Sequence, residues 1–345
     1  MIRLVNCLWF VLPATEVRLA SVTPDSEEIK NASTLLKAGQ LVAFPTETVY
    51  GLGADASNAD ALARLYRVKG RPDTHPVIVH LASVDMLEKW AKTVPDEAYK
   101  LAEKLWPGPM TLILKKASHV SDAVSGGQDT VGLRIPSHPV ALELLKEFGS
   151  GVAAPSANRH GKVSPTSAAH VKEELGDLVA KILDGGSCSV GIESTIIDLS
   201  GQERRILRPG MITIEEIEKI LGKKKGKAKA KPEEVVPRAP GTLSSHYAPS
   251  TSLKLFSSSN LGRALATAEN LSMKVAVMSF REPITCSVVV TWRQLPDNAD
   301  EYARVLYSTL RELDDQGADY IIAEEPPQEA AWSGILDRLR RAANG

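Results

Sequence analysis

The sequence predicts an α/β protein made of two folded units, and three observations lead there. With 345 residues, 43% of them hydrophobic and 24% charged, the chain can bury two cores of ordinary size. Short apolar runs that fit buried strands alternate with helical patterns along nearly its whole length. Residues 223–232, KKKGKAKAKP, hold six lysines and no apolar anchor beyond alanine, the composition of a solvated linker. The expected plan is an N-terminal extension over 1–14, a first unit over 15–222, a linker over 223–250 and a second unit over 251–345.

Taken in order, Leu4 to Leu12 is an apolar run preceded only by Arg3 and followed by no small-x-small cleavage site, so it reads as an extension or packed strand. Thr23-Pro24-Asp25 with Glu27 and Glu28 opens a helix that Gly39 stops. Leu41 to Phe44 is a strand ended by Pro45, which cannot donate to a ladder. A polar ledge of Thr46, Glu47, Thr48 and Tyr50 follows, then Gly51 and Gly53, where backbone could approach a small ligand. A helix over Ala61 to Val68 and a basic turn at Lys69 and Arg71 lead to a strand at Val77 to Leu81, which reads as a βαβ unit with its cations facing the ledge.

Helical patterns from Val84 and Asp96 precede the rigid WPGP turn at Trp106 to Pro109 and a strand over Thr111 to Leu114. The strand Val131 to Ile135 carries Arg134 among apolar neighbours, and a buried arginine needs an anionic partner. The helix Val140 to Phe148 returns to a strand at Val152 to Ala154, where Ser156 and Asn158 could supply donors on one side or simply close a turn. Ser164-Pro165-Thr166 is expected to cap a helix over Ser167 to Leu175. Strands over Thr195 to Leu199 and Ile206 to Pro209 complete the first unit. Beyond the linker, strands at Leu253, Val275, Val288 and Tyr320 alternate with helices in the manner of a small Rossmann-like parallel sheet, although no GxGxxG accompanies them.

Composition and absent motifs narrow the chemistry. A formal net charge of -1 gives no global pull toward nucleic acid. Cys7, Cys188 and Cys286 are scattered and without CxxC spacing, which suits a reducing cytoplasm better than a disulfide framework or zinc site. No run approaches the ~20 apolar residues of a membrane span. GxxxxGK[ST], GxSxG and HExxH are all missing, and His75 and His80 are poorly spaced for one metal. What remains is Lys69, Arg71, Arg134 and Arg208 at strand ends or within a strand, with Thr48, Ser156, Asn158, Ser164 and Ser194 as polar partners. That set suits positioning chemistry between a nucleoside triphosphate and a small acid.

The motifs FPTETVYGLGADA, KGRP, WPGPMTLIL, VGLRIPSHP, APSANRHGKVSPT, GIESTIIDL and RILRPG, in this order, resemble the YrdC-type threonylcarbamoyl-AMP synthases. HYAP and the α/β tail resemble the long, two-domain form of that family. The resemblance implies a YrdC-like twisted open mixed sheet with helices around a basic cleft, plus the small C-terminal Rossmann-like domain. It implies synthesis of L-threonylcarbamoyl-AMP from L-threonine, bicarbonate and ATP with release of pyrophosphate, and Mg2+ accompanying ATP.

By the same resemblance Lys69, Arg71, Ser156 and Asn158 are the catalytic set. Arg71, His75, Thr130, Ser156, Ser164, Arg208 and Tyr247 would hold ATP, and Thr48, His80, Arg134, Ala154 and Ser194 would hold threonine. No protein metal ligand is assigned. Many relatives read PGMKYxHY in the linker where this chain has Pro240 to Tyr247 with Ser244 in place of the first tyrosine, so His246 and Tyr247 alone can keep that contact. Pro237 to Pro249 is expected to be a lid, its prolines lowering the entropy lost on docking. The resemblance also implies a downstream tRNA-modifying transferase complex as partner; contact with tRNA itself is compatible with this but not required, and no membrane is involved.

Two rival readings differ in class. A carbamoyl-transferring enzyme of the same fold should sit beside CxxC zinc segments, which this chain lacks. A non-enzymatic RNA-binding module should interleave aromatic rings with its lysines, yet aromatics make up only 5% of the chain and none lies in the lysine tract.

Overall fold

A computed structural model describes residues 26–223, 236–284 and 286–345. The N-terminal apolar run, the capping signal Thr23 to Asp25, Cys7 and most of the lysine tract lie outside the described residues.

Among these residues the first unit is built on one nine-stranded mixed sheet. Its strands are β1 (Val42–Phe44), β2 (Gly51–Asp55), β3 (Ile78–His80), β4 (Met110–Lys115), β5 (Thr130–Arg134), β6 (Val152–Ala153), β7 (Lys181–Ile182), β8 (Thr195–Asp198) and β9 (Arg205–Arg208). They lie in the order β7-β1-β2-β6-β3-β5-β4-β8-β9, with β1/β2, β2/β6, β3/β6, β4/β5 and β8/β9 antiparallel and β1/β7, β3/β5 and β4/β8 parallel. Helices cover both faces. Ser26–Lys37 packs with Pro139–Phe148 on one, through Leu36, Leu144 and Phe148, and Ala59–Lys69 and Asp96–Leu105 bury Leu62, Leu65 and Leu101 on the other.

The βαβ unit expected after Phe44 needs correction. Gly51–Asp55 is itself a strand, antiparallel to β1, and β6 lies between β2 and β3. The helix Ala59–Lys69 therefore joins two strands that are parallel but not adjacent. Gly53 also serves a different end from the one expected. A Cβ there would stand 2.9 Å from Phe44 Cε1 and 3.0 Å from Val152 Cγ1, so glycine at this position lets neighbouring strands pack rather than letting a ligand approach.

Helix ends follow local chemistry. Asn58 Oδ1 accepts from the amides of Asp60 and Ala61, and Gly70 closes the same helix in the left-handed region at φ 62°. Ser167, and not the preceding Ser164 to Thr166, caps Ala168–Leu175 by accepting from the His170 amide.

The second unit is a four-stranded parallel sheet, β10 (Leu253–Phe256), β11 (Val275–Ser279), β12 (Val289–Gln294) and β13 (Tyr320–Glu324), in the order β10-β13-β11-β12. Helix Leu261–Asn270 covers one face, and Ala299–Asp314 with Ser333–Ala343 covers the other. The expected Rossmann-like alternation is present. The core beneath the latter pair extends into the first unit, taking in Val49, Val163 and Ile192 alongside Leu306, Leu310, Ile335 and Leu339. The two sheets thus share apolar packing, and the active-site ledge sits next to it.

Candidate active site

The cleft opens where β1, β3, β5, β6 and β9 end, and it encloses about 530 Å3, part of it open to solvent. Thr46, Thr48 and Val49 form its floor, Ala154 to Ser156 one wall, Arg71, Arg134 and Arg208 its cationic face, and Pro240, Gly241, His246 and Tyr247 its cover.

The ledge owes its shape to Thr46. Its hydroxyl donates to Val49 O at 2.6 Å and accepts from the Val49 amide, closing a tight turn after Pro45. Because that proton is committed, the 2.8 Å contact between Thr46 Oγ1 and Thr48 Oγ1 makes Thr48 the donor. Thr48 then offers only acceptor capacity to the cleft.

Arg134, buried at 4% exposure, finds its anionic partner inside the protein: Glu47 Oε1 lies 2.8 Å from Arg134 Nη2. Glu47 is fixed in turn by the Ser137 amide. Beside this pair His80 is buried with Nδ1 unpartnered, and burial, reinforced by Arg134, holds its ring down at about 3, so it is neutral.

Lys69 does not line the cleft. It lies beneath the wall, Nζ donating to Ser156 O and Asn158 O at 2.5 Å each. Burial, with Arg71 adding repulsion, lowers its pKa to about 7. Asn158 is likewise committed to its own loop, Nδ2 donating to Arg159 O and Lys162 O. The pair of donors expected from Ser156 and Asn158 is therefore one wall residue and one loop staple, although Asn158 Oδ1 is buried without a partner.

Arg208 joins three parts of the site. It donates to Ser194 O at 2.9 and 3.1 Å, to Ser194 Oγ at 3.1 Å and to Pro240 O at 3.0 Å. Ser194 Oγ is also 2.7 Å from Thr111 Oγ1, a strand residue with no local signal to single it out. Ser164 donates to Glu193 Oε1 at 2.6 Å, so it too can only accept from a ligand. Thr130 opens β5 outside the cleft lining, two residues past Gln128, whose Oε1 accepts from the Arg238 amide. His75, also outside the lining, packs edge-on against His160 at 5.5 Å, and His160 against His246 at 5.6 Å. Burial, with the charges of Arg71 and Lys69, keeps His160 and His246 at about 4 and about 3, so this row of rings is uncharged near neutrality.

The cover is held at both ends. Ala248 N donates to Gly161 O and His246 N to Arg341 O, while Arg238, before the cover, bonds Gly126 and Gln128. Tyr247 is 1% exposed in the left-handed region at φ 61°, its hydroxyl buried without a partner. Glu47, Glu193, Thr111 and Gly241 are among the site residues that sequence reasoning did not assign. Glu193 was signalled only by a carboxylate beside Ser194 in GIEST.

Comparison with known proteins assigns this arrangement to a family. The Sua5/YciO/YrdC family, described as telomere recombination, matches residues 34–210. A second profile, described as the C-terminal domain of threonylcarbamoyl-AMP synthase, matches residues 212–344. The chain belongs to the Sua5/YciO/YrdC family. The threonylcarbamoyl-AMP synthase of Pyrococcus abyssi is 39% identical over 323 residues, 92% of this chain and 94% of that protein. That of Bacillus subtilis is 37% identical over 342 residues, 98% of this chain and 97% of its own length. The crystal structure of P. abyssi Sua5 complexed with L-threonine superposes with a TM-score of 0.85 at 38% identity, covering 93% of this chain and 95% of that one. The likeness to Sua5 spans both sheets, so it includes the β10–β13 unit and the cover segment.

Proposed function

We infer that this member of the Sua5/YciO/YrdC family is a threonylcarbamoyl-AMP synthase, a nucleotidyltransferase acting at the first step of threonylcarbamoyladenosine formation in tRNA. The observation that carries the reading is a single covered cleft holding three arginines above a threonine-rich ledge, in a chain that matches such synthases along nearly all its length. L-Threonine, bicarbonate and ATP are the substrates. The neutral threonine amine attacks the carbon of carbon dioxide, a carbon–oxygen π bond opens onto oxygen and the amine gives up a proton to solvent, leaving a carbamate; starting from bicarbonate, a carbon–oxygen bond breaks and water leaves with that proton. A carbamate oxygen then attacks the α-phosphorus, the bond to the β-phosphate oxygen breaks, and pyrophosphate leaves.

Each side chain has a role that its chemistry permits. Arg134 pairs with the threonine carboxylate and Glu47 holds the guanidinium in place when threonine is absent. Thr48, restricted to accepting, faces the amine, and the unpartnered Nδ1 of neutral His80 lies in the same region. Ala154 keeps the wall thin, and Ser194 is oriented by Arg208 and Thr111. Arg71 and Arg208 face the phosphates with Ser156, while Ser164, an acceptor only, suits a ribose hydroxyl or the adenine amino group. Tyr247 completes the nucleotide side of the lining, and His75 and Thr130 stand behind it, outside the cleft itself. Lys69 and Asn158 act by fixing the Ser156 to Lys162 loop. No covalent nucleophile is required, and His246 with Tyr247 excludes water from a mixed anhydride prone to hydrolysis.

Magnesium enters as part of the ATP substrate. Among the described residues no group of three or more His, Cys, Asp or Glu is placed to hold a metal ion, and Glu47 and Glu193 are already paired with Arg134 and Arg338. These residues do not fit a resident protein metal cage. No described helix is long and apolar enough to cross a membrane. A tRNA-modifying transferase complex, acting in the cytoplasm, would consume the product.

The reading is tested by pyrophosphate release with different amino acids in the presence of ATP and bicarbonate. Threonine should be preferred and serine should be the best competitor, since a site built to pair a hydroxyl rejects ligands that lack it. Equal turnover of valine and threonine would contradict it.

A further inference from the structure

The cleft wall contains a carboxylate whose partners come from the other sheet. Glu193 sits between Ile192 and Ser194 and lines the cleft directly. Its Oε1 accepts from Ser164 Oγ at 2.6 Å, and its Oε2 accepts from Tyr307 Oη at 2.9 Å and Arg338 Nε at 2.8 Å. Arg338 also donates from Nη2 to Glu193 O and from Nη1 to Pro209 O, next to Arg208, and its guanidinium lies 5.2 Å from the Tyr247 ring. At 1% exposure it is among the largest fully buried side chains of the chain. Tyr307 belongs to helix Ala299–Asp314 and Arg338 to helix Ser333–Ala343, both packed on the parallel sheet.

Backbone packing fixes the same loop. A Cβ on Gly191, which lies at φ 87°, would stand 2.3 Å from Ala303 O; one on Gly334 would stand 2.9 Å from the Gly210 backbone, and Gly210 in turn lies against Thr195 N and Glu193 O at the loop's end. The loop from Gly191 to Thr195 is therefore clamped by one helix at its start and tied by the other at Glu193. Burial pushes the Glu193 carboxyl up, but Arg338, Arg208 and Ser164 outweigh it and hold the group at about 2, so it is ionised in the site.

An ionised carboxylate in a cleft meant for a triphosphate repels the ligand unless its charge is balanced from outside the cleft. Arg338 balances it from behind and uses no donor of Arg71 or Arg134. Tyr307 and Ser164 satisfy two more of its lone pairs. A second effect is geometric: with Oε1 held, Ser164 must present its lone pairs, and Ser194 sits at the next residue, in the grip of Arg208.

Resting on the threonylcarbamoyl-AMP synthase reading, we propose that Arg338 and Tyr307 are positioning residues for nucleotide binding: the four-stranded unit completes the site by neutralising Glu193 and fixing the Gly191 to Thr195 loop. The parallel sheet is thereby part of the catalytic apparatus and not an appended module.

The test uses the full chain, wild type alongside Arg338→Met, Tyr307→Phe, Glu193→Gln and the double variant Arg338→Met with Glu193→Gln, assayed for MgATP KM, kcat and threonine-dependent pyrophosphate release. Arg338→Met leaves Glu193 charged with only Arg208 of the cleft itself to balance it, at the expense of the phosphates, and its ATP KM should rise at least about tenfold with a smaller change in threonine KM. Adding Glu193→Gln removes the charge; the amide oxygen accepts from one of the Ser164 and Tyr307 hydroxyls and the NH2 donates to the other, which turns to accept, so the double variant should recover most of the lost ATP affinity. A purely structural ion pair would make the double variant no better than Arg338→Met, and that result overturns the proposal. If Arg338→Met fails to fold, Tyr307→Phe decides: its ATP KM should rise severalfold at an unchanged thermal midpoint, and a wild-type ATP KM overturns the proposal. A wild-type chain that releases no pyrophosphate with threonine would instead defeat the functional reading on which the inference rests.

Discussion

Substituting Gly241 by alanine should disable the cover without unfolding the protein. Gly241 lies at φ 75°, where an L side chain costs ~1–2 kcal/mol. An added Cβ would stand 2.0 Å from Tyr247 Oη and 3.1 Å from Arg208 Nη1. Since non-bonded atoms need more than ~3 Å, the Tyr247 ring must retreat by roughly 1 Å. A displacement of that size can cost ~100-fold in rate when it disturbs a positioned site. Tyr247 is also in contact with Tyr307, their rings stacked at 5.9 Å, so the shift cannot be absorbed locally. Steady-state pyrophosphate release with saturating ATP and bicarbonate should fall by about two orders of magnitude, while the thermal midpoint moves by only a few degrees, ~2–4 °C per kcal/mol. Removing the clashing oxygen should restore function in part, because the next atom, Tyr247 Cζ, is 3.1 Å away. Gly241→Ala combined with Tyr247→Phe should therefore perform within about tenfold of Tyr247→Phe alone. Wild-type turnover in Gly241→Ala would refute the reasoning, since the 240–247 segment could not then close over the site as described.

Three further outcomes are expected. Arg134→Ala should raise the threonine KM by ~10–100-fold, the range for a lost charged hydrogen bond, and move the ATP KM much less; the reverse pattern in initial-rate kinetics would reassign it to the nucleotide. His246→Ala with Tyr247→Ala should shorten the lifetime of the product, read as faster hydrolysis of labelled threonylcarbamoyl-AMP in the presence of enzyme, and an unchanged lifetime would show that the pair does not exclude water. Lys69, with its pKa lowered from 10.5 to about 7 by burial and by Arg71, is charged in the free enzyme only below about pH 7. The kcat/KM for ATP should thus decline as pH rises through 7, and a flat profile from 6 to 9 would contradict this. The same shift acts on stability with a defined sign: between about 7 and 10.5 the unfolded chain binds the extra proton, so this residue makes stability rise with pH over that window.

Much of the fold was legible because its signals are local. Phe44 followed by Pro45 marks the end of β1, the Ala61 to Val68 pattern marks the helix Ala59–Lys69, and the spacing of apolar runs after Leu253 gives all four strands of the parallel sheet. What escaped was non-local. Gly51–Asp55 reads as a loop in sequence because glycines weaken strands, yet here two glycines make room for Phe44 and Ala154. The insertion of β6 between β2 and β3 is decided by pairings such as Ala54 with Ala153 and Val79 with Ala153, far apart in sequence, and has no local trace.

The site divides in the same way. The cations Arg71, Arg134 and Arg208 stand out because charge is rare at strand ends with apolar flanks, and all three line one cleft. Asn158 shares its motif with Ser156, but its amide donors face its own loop, a choice that depends on side-chain direction and not on composition. The partners of Glu193 were invisible because Arg338 lies 145 residues away, on a helix whose other residues pack on a different sheet.

The central claim is most directly tested by incubating the chain with ATP, L-threonine and carbon-labelled bicarbonate, and following the nucleotide product by mass. The account predicts one adduct carrying AMP, threonine and the labelled carbon, formed with one pyrophosphate and absent when either threonine or bicarbonate is omitted. Pyrophosphate release independent of threonine and bicarbonate, or an adenylate lacking the labelled carbon, would contradict it.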